Sequence, residues 1–181
     1  MDAVVEKGFE RLEELIEELK GEQKELSERI KKEEVILLEK MTKVVGRVVR
    51  EIGQEFLQRA KVDQKGELYD QVFYPDKMIL LGKATTPASL RPDNPAKKVD
   101  QQYCVLSEAG NLYELMFSND GFIIDTYAAA LSPEDALYFY GYDIIYMLYS
   151  AMRDYGLAQQ DLIEAMNITL GFIQQQNNQE E

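Results

Sequence analysis

The sequence predicts an α+β protein with a long N-terminal helical region, a small antiparallel β-meander sheet and a C-terminal helical hairpin. Three observations carry this reading. Residues 4–60 contain no proline and use Glu, Lys, Leu, Arg and Gln freely, all good helix formers. Residues 103–127 hold three short runs of strand-favouring residues separated by turns rich in Asn, Asp and Gly. Residues 132–174 open on Ser-Pro-Glu-Asp, a strong helix start, and continue with large apolar side chains at helical spacing. The chain divides accordingly into a helical region, 1–60, and an α+β domain, 61–181.

In the first region Val5, Phe9, Leu12, Ile16, Leu19, Leu26 and Ile30 recur at steps of four and three or at whole heptads, in a highly charged background. A single helix cannot bury its own stripe. The stripe therefore predicts contact with protein, first with a second copy of the chain, a dimer being the simplest homo-oligomer. Gln23, then Glu33 and Glu34, interrupt the pattern. It resumes in a shifted phase at Leu38, Met41, Val45, Val48, Val49, Ile52 and Phe56, which permits either one long helix or two bent near residues 31–35. Gly46 and Gly53 lie near one face, where missing side chains let another backbone approach, so this second stretch is expected to pack on the globular part. The alternative is that both halves cover one intramolecular core.

Lys65-Gly66 reads as a helix stop followed by a turn, Glu67 to Tyr74 as a strand, Pro75-Asp76 as a turn and Lys77 to Leu81 as a second strand. Residues 84–99, with Pro87, Pro92 and Pro95, read as a long loop with little to bury, mobile or exposed. Tyr103–Leu106, Leu112–Phe117 and Phe122–Tyr127 then form an antiparallel meander, giving a sheet over 67–127. Asp120-Gly121 resembles a calcium-loop start, but acids at alternating positions and a terminal Glu are missing, and a hairpin turn fits it better.

The first C-terminal helix is expected over 132–155, stopping at Gly156, and the second over 159–174, with Leu162, Met166, Leu170 and Ile173 packed on its predecessor. Tyrosines and aliphatic residues cover more than one face of the first helix, so it should be buried on two sides. Either it lies between the sheet and the last helix, or Tyr142, Tyr146 and Tyr149, at spacings of four and three, face a partner. Ala136 to Met152 is short for a membrane span and has Asp143 at its centre. Gln174 to Glu181 is a polar tail expected to fray.

Composition narrows the chemistry. The chain has no histidine, which removes the commonest general base, the His-dependent triads and His-containing zinc sites. Cys104 is the only cysteine and reads as a small buried hydrophobe. Residues 99–181 carry 13 acids against a single base, Arg153, so this half repels phosphate backbones. The one basic cluster, Lys31, Lys32, Lys40, Lys43, Arg47 and Arg50, is interleaved with acids and looks like a solvated helix flank. Leu81-Gly82-Lys83-Ala84-Thr85-Thr86 lacks the upstream glycines of a phosphate cradle. Asp125 and Asp143 sit between apolar neighbours, but Asp125 is read as ending a strand, and Asp143 as facing solvent or accepting a tyrosine hydrogen bond. No catalytic, cofactor or metal residue is assigned, and neither nucleic acid nor membrane is expected as a partner. No secretory leader is read at residues 1–20, and the expected location is the cytoplasm. The function this implies is that of a structural or adaptor protein acting through self-association. A ligand-sensing regulatory domain is the alternative, with a carboxylate- or metal-dependent hydrolase behind it.

Overall fold

The computed structural model describes residues 3–177. Helix α1, Ala3–Ile52, is followed by six strands, β1 Leu57–Val62, β2 Leu68–Phe73, β3 Met78–Lys83, β4 Gln101–Ser107, β5 Leu112–Asn119 and β6 Ile123–Ala130. Two helices, α2 Pro133–Tyr140 and α3 Asp143–Asn177, complete the α+β fold. The chain falls into two compact units, Met1–Leu38 and Glu39–Glu181.

Within the first unit α1 is unbroken, so the phase shift near residues 31–35 falls inside one continuous helix and does not divide it into two. Leu12, Leu19 and the rest of the early stripe are exposed in the single chain.

The second unit is built around one antiparallel sheet in the order β2-β1-β6-β5-β4-β3. The sheet curls until the segment ahead of β1 reaches the opposite edge. There Gln54 N donates to Met78 O at 2.9 Å and Met78 N donates to Gln54 O at 3.0 Å. Inside the curl Met78, Val105 and Leu115 form a buried cluster flanked by Phe56, Tyr74, Tyr103, Tyr113, Phe117 and Ala128. Tyr103 meets Phe117 edge to face with ring centroids 5.6 Å apart. The strand alternation sends Gln102, Cys104, Leu106, Glu114 and Met116 to the other face. Tyr140 of α2 reaches that face, and a Cβ on Gly82 of β3 would lie 3.3 Å from its ring and 3.4 Å from Ile144 of α3.

The last part of α1 closes on the turn between β4 and β5. Thr42, Val45 and Val49 are buried at helical spacing. A Cβ on Gly46 would come within 2.7 Å of Gly110 Cα, so the missing side chain is what lets the two backbones meet. Gly110 itself turns the chain with φ 80°. At Gly53 a Cβ would meet Val49 O at 2.5 Å and Met78 O at 3.1 Å.

Several boundaries differ from the sequence reading. The helical region ends at Ile52, and residues 57–60 belong to a strand. Local propensity in Leu-Gln-Arg-Ala is overridden there because Ala60 is fully buried opposite Ile124 and Arg59 pairs with Asp125 of β6. Lys65-Gly66 therefore closes a hairpin, with Gly66 at φ 83° and Asp63 Oδ1 accepting from Lys65 N and Glu67 N, both at 2.8 Å. The C-terminal hairpin turns at Gly141-Tyr142, not at Gly156. Gly141 has φ 76° and donates to Leu137 O, ending α2, while Gly156 sits exposed inside α3 at a cost of only about 1 kcal/mol relative to alanine. The Ser-Pro start is as expected: Ser132 Oγ accepts from Asp135 N at 3.0 Å. Of the polar tail, residues 174–177 continue α3 and residues 178–181 lie outside the described residues.

Candidate interaction surface

The seven stripe residues of α1, Val5, Phe9, Leu12, Ile16, Leu19, Leu26 and Ile30, are between 48% and 69% exposed. Each is a large apolar side chain held in water, and all seven fall on one face of a continuous helix. The run is contiguous, whereas single exposed apolar residues are ordinary, and that makes it the candidate surface. Helicity alone does not account for it, because isolated helices are marginal in water and gain most of their stability from packing one face.

A second surface lies in the other unit. Ile144, Ile145 and Leu148 of α3 are buried on the fold, while Tyr142, Tyr146 and Tyr149 stand 54–59% exposed on the far side. The rings of Tyr146 and Tyr149 are 6.5 Å apart. Because residues 159–174 continue the same helix, they cannot fold back to cover these tyrosines, and only the sheet side of α3 is buried within the chain. The expectation of burial on two sides therefore fails for the chain alone. Leu162, Met166, Leu170 and Ile173, assigned by sequence to packing on the preceding helix, are exposed, as are Ile163, Ile168 and Phe172. Their spacing of four and three was visible; what it could not reveal was the absence of a turn at Gly156.

Two polar clusters were not anticipated. On the helix-facing side of the sheet, Glu114 is buried and its Oε1 accepts from Gln102 Nε2 and from Tyr140 Oη, the latter at 2.8 Å. Gln102 Oε1 accepts from Ala88 N at 2.7 Å. Burial, then the hydrogen bond to Glu114, pushes the Tyr140 hydroxyl far above its ordinary value. Burial and the same carboxyl push the Cys104 thiol up to about 12. Raised in this way, both groups hold their protons at neutral pH. The cluster links strands β4 and β5 to α2 and to the proline-rich loop. Its sequence signal is faint: Glu114 shares strand parity with Leu112 and Met116, both buried.

The second cluster ties down the loop 84–99, which the sequence reads as exposed. Arg91 is only 5% exposed and pairs with Asp93 and, at 2.9 Å, with Asp125. The Arg91–Asp125 contact is an ion pair without hydrogen-bond geometry, since neither facing atom makes a hydrogen bond. Arg91 also lies 5.8 Å from the centre of the Tyr127 ring, and Lys97 pairs with the other oxygen of Asp125. The hydrogen bond from Arg91 holds the Asp93 carboxyl below the usual carboxylate range. Asp125 thus sits inside β6 with two cationic partners and does not end a strand, while Asp143 is an exposed residue opening α3. Beside this cluster is a cleft of about 320 Å³ lined in part by Lys97, Lys98, Ser118 and Asp120. Asp120 is occupied in the hairpin turn, its Oδ1 accepting from Phe122 N at 3.0 Å and Ile123 N at 2.8 Å.

Among the described residues no group of three or more Cys, Asp or Glu side chains converges as a metal site, and no helix is long and apolar enough to cross a membrane. A scan against family models, a search of curated proteins and a search of solved structures each find no match.

Proposed function

We propose that this protein is a self-associating structural or adaptor protein, without catalytic activity of its own, whose N-terminal helix joins copies of the chain and whose tyrosine face on α3 contacts protein. The carrying observation is the stripe from Val5 to Ile30, apolar at coiled-coil spacing and exposed along its whole length. Tyrosine supports the second contact, because it offers a large rigid apolar area with a hydroxyl that stays satisfied in water when the partner is absent.

Light scattering on the full chain at high micromolar concentration tests the reading. The expected mass is a multiple of 20.8 kDa, falling to that of one chain when Leu12→Lys and Leu19→Lys are introduced together. A single-chain mass for the unaltered protein overturns it. A ligand-sensing domain is the second reading, favoured by the cleft at Lys97 and Lys98, where the buried Ser118 hydroxyl makes no hydrogen bond within the chain. A rise in melting temperature on adding inorganic phosphate, lost in Lys98→Ala, would favour that reading over the first.

A further inference from the structure

The α1 surface carries enough detail to specify its own partner. Phe9, Ile16, Gln23 and Ile30 occupy one set of seven-residue positions, and Val5, Leu12, Leu19 and Leu26 occupy the set four residues earlier, so the seam keeps one register from Val5 to Ile30, apolar at every position but Gln23. In heptad terms the first set is a and the second is d. We propose that residues 5–30 form a parallel, in-register, two-stranded coiled coil with a second copy of this chain, the two Gln23 amides facing each other across the axis. The proposal rests on the self-association reading above and adds orientation, register and stoichiometry to it.

Three features of the seam select this arrangement. β-branched Ile16 and Ile30 at a, with Leu12, Leu19 and Leu26 at d, is the combination that favours two parallel strands. Gln23 is the one polar residue in the seam and is exposed in the single chain. Only a parallel, in-register pair sets it against its own copy, where each amide can donate to the other's carbonyl. In the antiparallel alignment of greatest overlap it would lie against Leu12 of the other copy. Two buried amides would then lack partners, a loss that the exposed Glu13–Lys20 pairs gained in that alignment do not offset.

The flanks agree. With parallel chains, Arg29 of one copy faces Glu34 of the other, Glu22 faces Ser27, Leu15 lies along the Lys20 stem, and Gly8 faces Glu13. No like charges oppose one another across the seam. Glu10, Glu14, Glu18 and Glu28 all fall on outward positions, away from the second chain.

The test uses the full chain with Leu12→Cys or Leu26→Cys, one at a time, under mild oxidation. Buried Cys104 makes the unaltered protein the control. A parallel in-register dimer brings each new cysteine to its own copy, so both variants are expected to form disulfide dimers readily. No antiparallel alignment can bring together both the position 12 pair and the position 26 pair. A parent dimer in which only one variant, or neither, cross-links overturns the orientation while leaving self-association intact. A monomeric parent overturns both. Should a cysteine loosen the seam, nitroxide labels on the outward positions in Glu14→Cys, Gly21→Cys and Glu28→Cys decide the point independently. Three equal interchain distances are expected, and a distance that changes along the helix overturns the proposal.

Discussion

The first thirty residues of α1 and residues 160–175 of α3 are both largely exposed helix with apolar residues at spacings of four and three, yet their chemistry differs. The α1 stripe is narrow, and five of its eight flanking positions, Glu13, Lys20, Glu22, Arg29 and Glu34, are charged. The α3 segment carries Asp161 and Glu164 and then no charged residue through Asn177, while Ile168 and Phe172 widen its apolar surface beyond one stripe. A narrow charged-edge stripe fits one partner helix in one register. A broad neutral face is less selective and gains affinity mainly from area. Two equally exposed helices of one chain therefore differ in what they could select, and under the proposed function the first would make a closed symmetric contact.

The largest expected effect breaks the α1 half of this contrast. Placing lysines at both Leu12 and Leu19 puts four charges into adjacent layers of a dimer seam. Each lost leucine is worth about 2–5 kcal/mol where it is buried, so dissociation should be complete at micromolar concentration in sedimentation analysis. The sheet should be untouched, with an unchanged near-ultraviolet tyrosine signal. Retained association in that variant would transfer the contact to α3.

Replacing Tyr142, Tyr146 and Tyr149 together by Ser sharpens the other half. Their exposure predicts a melting temperature within a few degrees of the parent, with partner capture reduced at least about a hundredfold if each ring contributes roughly 1 kcal/mol or more at the interface. Unfolding of the variant would make these tyrosines core residues and remove the surface from the comparison.

Gly46→Val separates folding from association. The added carbons have no room beside Gly110 Cα at 2.7 Å, so the second unit should lose about 1–3 kcal/mol in denaturant titration while the early stripe keeps its self-association. Alkaline titration reports on the same unit. The Cys104 thiol is raised from 9.0 to about 12 and the Tyr140 hydroxyl is raised from 10.0, both first by burial. Above those ordinary values the unfolded chain releases protons that the folded chain retains, so stability is full below pH 9 and falls as pH rises toward 12. Tyr140→Phe should flatten the part of that fall above pH 10. The smallest effect is expected from Tyr155→Phe, which removes a 2.9 Å hydrogen bond to Glu51 on the surface; no resolvable shift is predicted in thermal melts.

How much of this was legible varied with the range of the interactions involved. The meander β4-β5-β6 was readable because its turns are local: Gly110 and Gly121 adopt φ of 80° and 89° at the expected positions. The α2 start at Ser132 is likewise a four-residue signal. Strand β1 was hidden because Leu-Gln-Arg-Ala-Lys-Val has no apolar alternation and is held in the sheet by Ile124, more than sixty residues away. Burial of Arg91 could not be read either, since Asp125 is remote in sequence and the loop around Arg91 is dominated by proline and polar residues. Gly156 misled because glycine marks a stop only where the backbone needs a left-handed turn, and Gly141 meets that need. Of the candidate surfaces, both the stripe and the tyrosines were chosen from spacing, but the exposed continuation of α3 was not, because packing against the preceding helix would have given the same pattern.

The edge strand β2 bears on how far assembly can go. Every residue from Leu68 to Phe73 is exposed, including Tyr69, Val72 and Phe73, and an open edge of that composition is a template for fibre growth. Asp70 interrupts it. Its φ of 54° and the register irregularities opposite Arg59 twist the strand out of the flat form that another strand could extend, and its carboxylate, 2.7 Å from Lys61 Nζ, places charge at the centre of the edge. Growth by strand addition has no end point, whereas helix pairing about a two-fold axis closes on itself. One kinked aspartate thus makes this edge a poor template for open-ended strand addition.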